Sequence, residues 1–151
     1  MHVHESIPLP EGVASASSPF DEQLGLTYTE VTADGIKAEL TVTPALQQPM
    51  GIVHGGVYCS VIESVASTSA YVWLSEHGGG NVVGVNNNTD FLRAISSGTV
   101  YAVSEPIHRG RRQQLWLVTI TDEQDRVVAR GQVRRLPSRP AAELAQDVRG
   151  G

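Results

Sequence analysis

The chain has 151 residues, 40% of them hydrophobic and 18% charged, with a formal net charge of -5. That length suits one domain with a real core and is too short for two. The mild acidity argues against a nucleic-acid partner, because a phosphate backbone selects a basic surface.

Other classes fall away as quickly. No run approaches the roughly 18–20 apolar residues of a membrane span, so no membrane partner is expected. Met1-His2-Val3-His4-Glu5 has neither a basic region nor an apolar one behind it. No signal peptide is read there, and a cytoplasmic setting is expected. Cys59 is the only cysteine, which excludes an intramolecular disulfide and a Cys-rich metal site. Inside an apolar run it reads as a small buried hydrophobe rather than a reactive thiol. His2 and His4 have no further ligand nearby, so no metal is expected.

Residues 1–18, rich in Pro, Ser, Gly and Ala, read as a flexible tail. Residues 136–151 read as another, with room for one short helical turn, which leaves 19–135 as the folded domain. Leu24 to Val31 is expected to be a short strand, turning at Asp34-Gly35. Ile36 to Thr43 alternates: Ile36, Ala38, Leu40 and Val42 on one face, Lys37, Glu39, Thr41 and Thr43 on the other. That is a half-buried strand, ended by Pro44.

From Gly55, Val57, Val61, Ile62, Val65, Ala66 and Val72 recur at helical spacing until Gly78-Gly79-Gly80 stops the run. The spacing predicts one helix of about five to six turns. Ser60, Ser64, Ala66, Ser67, Ser69 and Ala70 would let a sheet approach closely, so the helix is expected to be largely buried. Strand-like runs follow at 82–91, 99–107, 113–121 and 126–133. They are divided by Ser96-Ser97-Gly98, by Arg109-Gly110 and by the turn at 122–125, and such short connections predict a mostly antiparallel meander. One long helix and then four long strands make an α+β arrangement, with the sheet curled around the helix. The hot-dog fold has that order.

The chemistry gathers in Gln48-Pro49-Met50-Gly51-Ile52-Val53-His54-Gly55-Gly56. Two glycines at a helix start leave N–H groups unobstructed, and the helix dipole adds positive potential there. Such a terminus can hold a carbonyl oxygen that becomes an oxyanion. Equally, Gly55 and Gly56 could serve only a tight turn. Glu63 is the only acidic residue between Glu39 and Glu76, set mid-helix among apolar and small residues. A charge there is disfavoured unless solvated, paired or used, and desolvation suits a general base or a carboxylate nucleophile. The other reading is a carboxylate hydrogen-bonded to Ser60 or Ser67, each within one turn.

Gly55 and Glu63 are eight residues apart, about 12 Å along one helix. A reacting carbonyl must lie about 3 Å from both donor and attacker. One helix cannot serve both roles on one substrate. Two copies packed in opposite directions can, which gives two equal sites per two-fold dimer.

This block, with Glu63 nine residues after His54, resembles the hot-dog-fold acyl-CoA thioesterases of the 4-hydroxybenzoyl-CoA, phenylacetyl-CoA and 1,4-dihydroxy-2-naphthoyl-CoA type. The likeness runs from about Phe20 to Arg134, and His108-Arg-Gly-Arg-Arg-Gln-Gln-Leu-Trp116 shares in it. The resemblance implies hydrolysis of an aromatic or medium-chain acyl-CoA to free acid and coenzyme A. Coenzyme A is then part of the substrate, and no cofactor is implied. It also implies homodimers, paired further into tetramers. Glu63 matches the catalytic carboxylate, which attacks the thioester or activates water, and Gly55 matches the N–H that polarises the thioester carbonyl. Gln48 and His54 match side chains that position the thioester or water, and Ser67 matches one that helps hold the water. Ser64 lies beside the acyl pocket. Phe91 stands where some relatives carry a His that contacts the acyl group, so the acyl group stays open.

Arg109, Arg111 and Arg112 are the densest basic cluster of this acidic chain. Arginine suits the phosphates of coenzyme A, and the resemblance implies that contact. A solvated turn between strands is the other reading. Gly110 would let the backbone approach the pantetheine arm, and His108, at the edge of this substrate-binding turn, reads as structural rather than catalytic.

Two alternatives stay open. A hot-dog dehydratase or hydratase would pair a His with a carboxylate across the dimer, in motifs not seen here. A protein could also bind acyl-CoA without cleaving it. A serine hydrolase is disfavoured, because no G-x-S-x-G signature is present.

Overall fold

The computed structural model describes residues 8–10 and 16–138. His2, His4 and residues 139–151 lie outside these. Helix α1 (Pro19–Leu24) leads into β1 (Leu26–Thr32) and β2 (Gly35–Thr41), and a 3-10 turn at Pro44–Leu46 precedes the long helix α2 (Gly55–Ser75). Strands β3 (Asn81–Phe91), β4 (Thr99–Arg109), β5 (Gln114–Thr121) and β6 (Val127–Ser138) follow. All the pairings are antiparallel, in one sheet of order β1-β2-β4-β5-β6-β3. This is the expected α+β arrangement, a single sheet packed on one long helix. Among the described residues no helix is long and apolar enough to cross a membrane.

The alternating strands behave as their patterns predict. Ile36, Ala38 and Leu40 of β2 and Trp116, Val118 and Ile120 of β5 are buried against α2. From the helix, Val57, Val61, Ile62, Val65, Ala66 and Val72 meet them in the same core. The rest of α2 forms a half-buried stripe through Cys59, Ser60, Glu63, Ser64, Ser67, Thr68 and Tyr71. Cys59 is thus half-buried rather than buried.

Three expectations need correction. Leu24 belongs to α1, not to a strand, and Ser18 belongs to the cap of α1. The Ser18 side chain accepts from the Asp21 N–H at 3.2 Å and the Asp21 carboxylate accepts from the Ser18 N–H at 3.3 Å. With Pro19 in the first turn and Gly25 left-handed at φ 80, the six-residue helix is fully punctuated. At the other end β6 runs on to Ser138, because Leu136, Pro137 and Ser138 find pairing partners in Val83, Val82 and Asn81 of β3.

The meander is also only partial. Strands β4, β5 and β6 follow one another, but β3 lies beyond β6 and β4 lies beside β2. The connecting segment after β3 crosses the end of the sheet. Its Leu92 and Arg93 N–H groups reach Val128 O, its Ile95 O accepts from Val53 N–H, and its Gly98 O accepts from Val42 N–H. That last bond continues the β2–β4 register one step past Thr41↔Thr99, although β2 itself ends at Thr41. The crossing leaves β3 as an edge strand beside the half-buried stripe of α2, with Gly84 through Asn88 exposed.

Candidate active site

Four N–H groups at the start of a helix have no intrahelical acceptor. At α2 three of them find one locally: His54 N–H bonds Leu46 O at 2.9 Å, Gly56 N–H bonds His54 Nδ1 at 2.8 Å, and Val57 N–H bonds His54 O at 2.9 Å. Of these four, Gly55 N–H is the one for which no acceptor is found among the described residues. Since His54 Nδ1 accepts, a neutral ring carries its proton on Nε2. A Cβ on Gly56 would lie 2.8 Å from His54 Nδ1 and would break the cap, while one on Gly55 would lie 2.8 Å from the Phe91 ring. The structure therefore brings Phe91 to Gly55, with more than half of its surface exposed. Gln48 turns back on its own loop, where its carboxamide oxygen accepts from Met50 N–H and its backbone N–H donates to Ile52 O at 2.9 Å.

Glu63 projects from the half-buried stripe, its side chain 40% exposed. It does not use Ser60, whose hydroxyl donates to Gly56 O at 2.8 Å. Its partners come from distant strands. Arg135 Nη1 lies 2.5 Å from Glu63 Oε1, and Asn87 Nδ2 donates to Oε2 at 3.2 Å while also meeting Cys59 O at 3.1 Å. Arg135 stands on the inward face of β6 with its side chain only 7% exposed, and its Nη2 donates to Val82 O at 3.3 Å. Burial pushes the Arg135 guanidinium below its ordinary value, and Glu63 beside it pulls the other way. Gly84 of β3 leaves room for this pair: a Cβ there would run into Glu63 Oε1 and lie 2.7 Å from Arg135 Nη1.

The two ends of the proposed chemistry are apart within one chain. Phe91, against Gly55, pairs with Ala129, whereas Glu63 is held by Arg135 further along the same strand. Six residues of strand span about 20 Å. Ser64 and Ser67 share the stripe of Glu63. Ser67 also lines a depression of about 230 Å³ with Thr68, Tyr71, Asn81, Val82 and Arg135. Tyr58, whose ring centroid is 6.2 Å from that of Phe91, is buried, and burial pushes its phenol up to about 12. It stays protonated at neutral pH and is no candidate base.

The arginine turn divides in two. Arg109 Nη1 donates to Ala33 O at 3.0 Å and to Asp34 Oδ1 at 2.9 Å, tying the end of β4 to the β1–β2 turn. Arg111 and Arg112 are exposed, and no partner of either is found among the described residues. Gly110 N–H bonds Gln113 O at 3.0 Å, and exposed His108 packs against Gly110. Gln114, just past this turn, is the register partner of Arg135. No group of three or more His, Cys, Asp or Glu that could hold a metal occurs among the described residues.

Sequence reasoning missed Arg135, Asn87 and Gly84. Arg135 continues the inward alternation of Ala129, Gly131 and Val133, and a glycine inside a strand pattern signals close approach. Asn87 offered no signal.

The thioesterase superfamily model matches residues 50–129, just over half of the chain. The Mycobacterium tuberculosis protein Rv1847, which carries a provisional esterase name, is 62% identical over 138 residues, covering 88% of this chain and 99% of its own. The chain belongs to the thioesterase superfamily. The proofreading thioesterase EntH of Cronobacter sakazakii is 37% identical over 105 residues, 70% of this chain and 75% of its own. The solved structure of the thioesterase HI1161 from Haemophilus influenzae superposes with a TM-score of 0.74 at 30% identity, covering 80% of this chain and 83% of its own. The sheet around α2 is therefore the hot-dog fold of this superfamily, and the chain is a hydrolase that cleaves thioesters.

Proposed function

We propose that this thioesterase hydrolyses an aromatic or medium-chain acyl-CoA, with Glu63 attacking the thioester or activating water. The carrying observation is the pairing of two groups. One is an N–H at Gly55 that nothing nearby takes up; the other is a carboxylate held at both oxygens yet open to solvent. The first suits an oxyanion and the second an attacking group or base. Their separation along one helix supports a site made between two subunits, Gly55 from one and Glu63 from the other.

The exposed edge of β3 and the small-residue stripe of α2 give such a dimer a ready surface. Dimers would pair further across the outer face of the sheet, where Tyr101 and Val103 are exposed. His54 and Gln48 would position the thioester or water, Ser67 would help hold the water, and Ser64 and Phe91 would border the acyl group. Arg111 and Arg112 are free to meet the phosphates of coenzyme A, whereas Arg109 is engaged in the fold. Water is the only co-reactant required.

The test is release of free thiol from a panel of aromatic and aliphatic acyl-CoA esters. Turnover of one class well above the others is expected. No thiol released from any of these esters would contradict acyl-CoA as the substrate.

A further inference from the structure

An attacking carboxylate has to be held in one orientation, and α2 alone does not hold Glu63. Its side chain is 40% exposed, and its bonds come from β3 and β6. We propose that Arg135 is a positioning residue for the hydrolysis, clamping Oε1 of Glu63 so that Oε2, which takes one hydrogen bond from Asn87, keeps its remaining lone pair toward the thioester or water. This rests on the reading of Glu63 as the catalytic carboxylate.

Three observations converge on the clamp. The planar guanidinium is itself fixed, with Nη1 2.5 Å from Glu63 Oε1 and Nη2 3.3 Å from Val82 O, so it transmits a defined orientation. A cation at an inward strand position is costly to bury unless paired. Among the described residues Glu63 is the only acidic side chain it meets. The other charged side chains of the flanking strands face away: Arg130 and Asp90 line a depression on the outer face, and Arg134 donates to Gln113. Lastly, β3 yields to the pair. It carries glycine at position 84, where a Cβ would lie 2.7 Å from Arg135 Nη1, and its pairing slips between Gly84 and Asn86.

A merely structural arginine and a positioning one differ in kinetics. Arg135→Met should lower kcat roughly 10- to 100-fold, the scale of a small misplacement of a reacting group. KM should stay within about threefold, since ground-state binding does not run through the clamp. Arg135→Lys, which keeps the charge, should recover part of the loss. Gly84→Ala, which keeps both charges but crowds them apart, should also lower kcat with KM little changed. Glu63→Gln is measured beside them. If Glu63→Gln keeps more than about a tenth of turnover, the reading of Glu63 falls, and the role of Arg135 with it. If Glu63→Gln is inactive while Arg135→Met and Gly84→Ala run at the wild-type kcat, Arg135 alone is overturned. Should Arg135→Met fail to fold, as read by thermal melting, Arg135→Lys and Gly84→Ala decide the question on the same criteria.

Discussion

A carboxylate on an apolar helix needs a reason, and for Glu63 the reason lies in two other strands. Its isolation on α2 was legible in the sequence. Its partner, 72 residues later, was not, because local spacing cannot show which strand lies over which helical turn. Buried hydroxyls raise the same question of partners. Tyr58 is 3% exposed and its hydroxyl has no partner among the described residues, so burial pushes it up to about 12. Burial likewise raises the Tyr28 phenol, which bonds Asp21 and Thr68. A phenol raised in the folded state adds stability that is complete below the unfolded value of about 10 and is lost as pH climbs through the folded value. The melting temperature should therefore fall as pH climbs from about 10 towards 12, and fall less for Tyr58→Phe. At neutral pH that variant should be neutral or slightly stabilising. A loss above about 1 kcal/mol would show that the hydroxyl does find a partner.

At the scale of elements, α2 and the strands were readable because their periods are long and clean: 21 residues of helical spacing, and strict alternation in β2 and β5. Helix α1 was missed: Ser18, Pro19 and Asp21 mark its start, but Ser18 reads as tail and the strand-like run beginning at Leu24 masked the rest. The place of β3 was not readable. It depends on a connection whose backbone bonds reach Val128, Val53 and Val42, none of them its sequence neighbours. The arginine turn shows how an element can mislead by composition, since one of its three arginines is tied to Asp34 and the other two are free to bind. Replacing Arg111 and Arg112 by Ala should raise KM for CoA esters far more than it lowers kcat, because the phosphates are remote from the reacting carbon. A truncated pantetheine thioester should be nearly indifferent to the change. Equal losses on both substrates would assign the pair to the fold.

At the scale of the whole molecule, the proposed chemistry depends on a second copy. Within one chain Gly55 lies under Phe91 and Glu63 lies against Arg135, so the oxyanion donor and the carboxylate act on one thioester only if two helices run side by side in opposite directions. The edge of β3, exposed beside the small-residue stripe of α2, is where that neighbour would sit. The most direct test mixes two inactive variants. Glu63→Gln removes the carboxylate, and Gly55→Pro removes the N–H at a first-turn position whose backbone accepts proline, the exposed Phe91 ring shifting to admit it. After subunit exchange half of the dimers are mixed, and each holds one doubly defective site and one intact site. About a quarter of wild-type activity per subunit should return, by the two-fold symmetry of the dimer. Mixed dimers seen by mass spectrometry with no recovered activity would contradict the shared site.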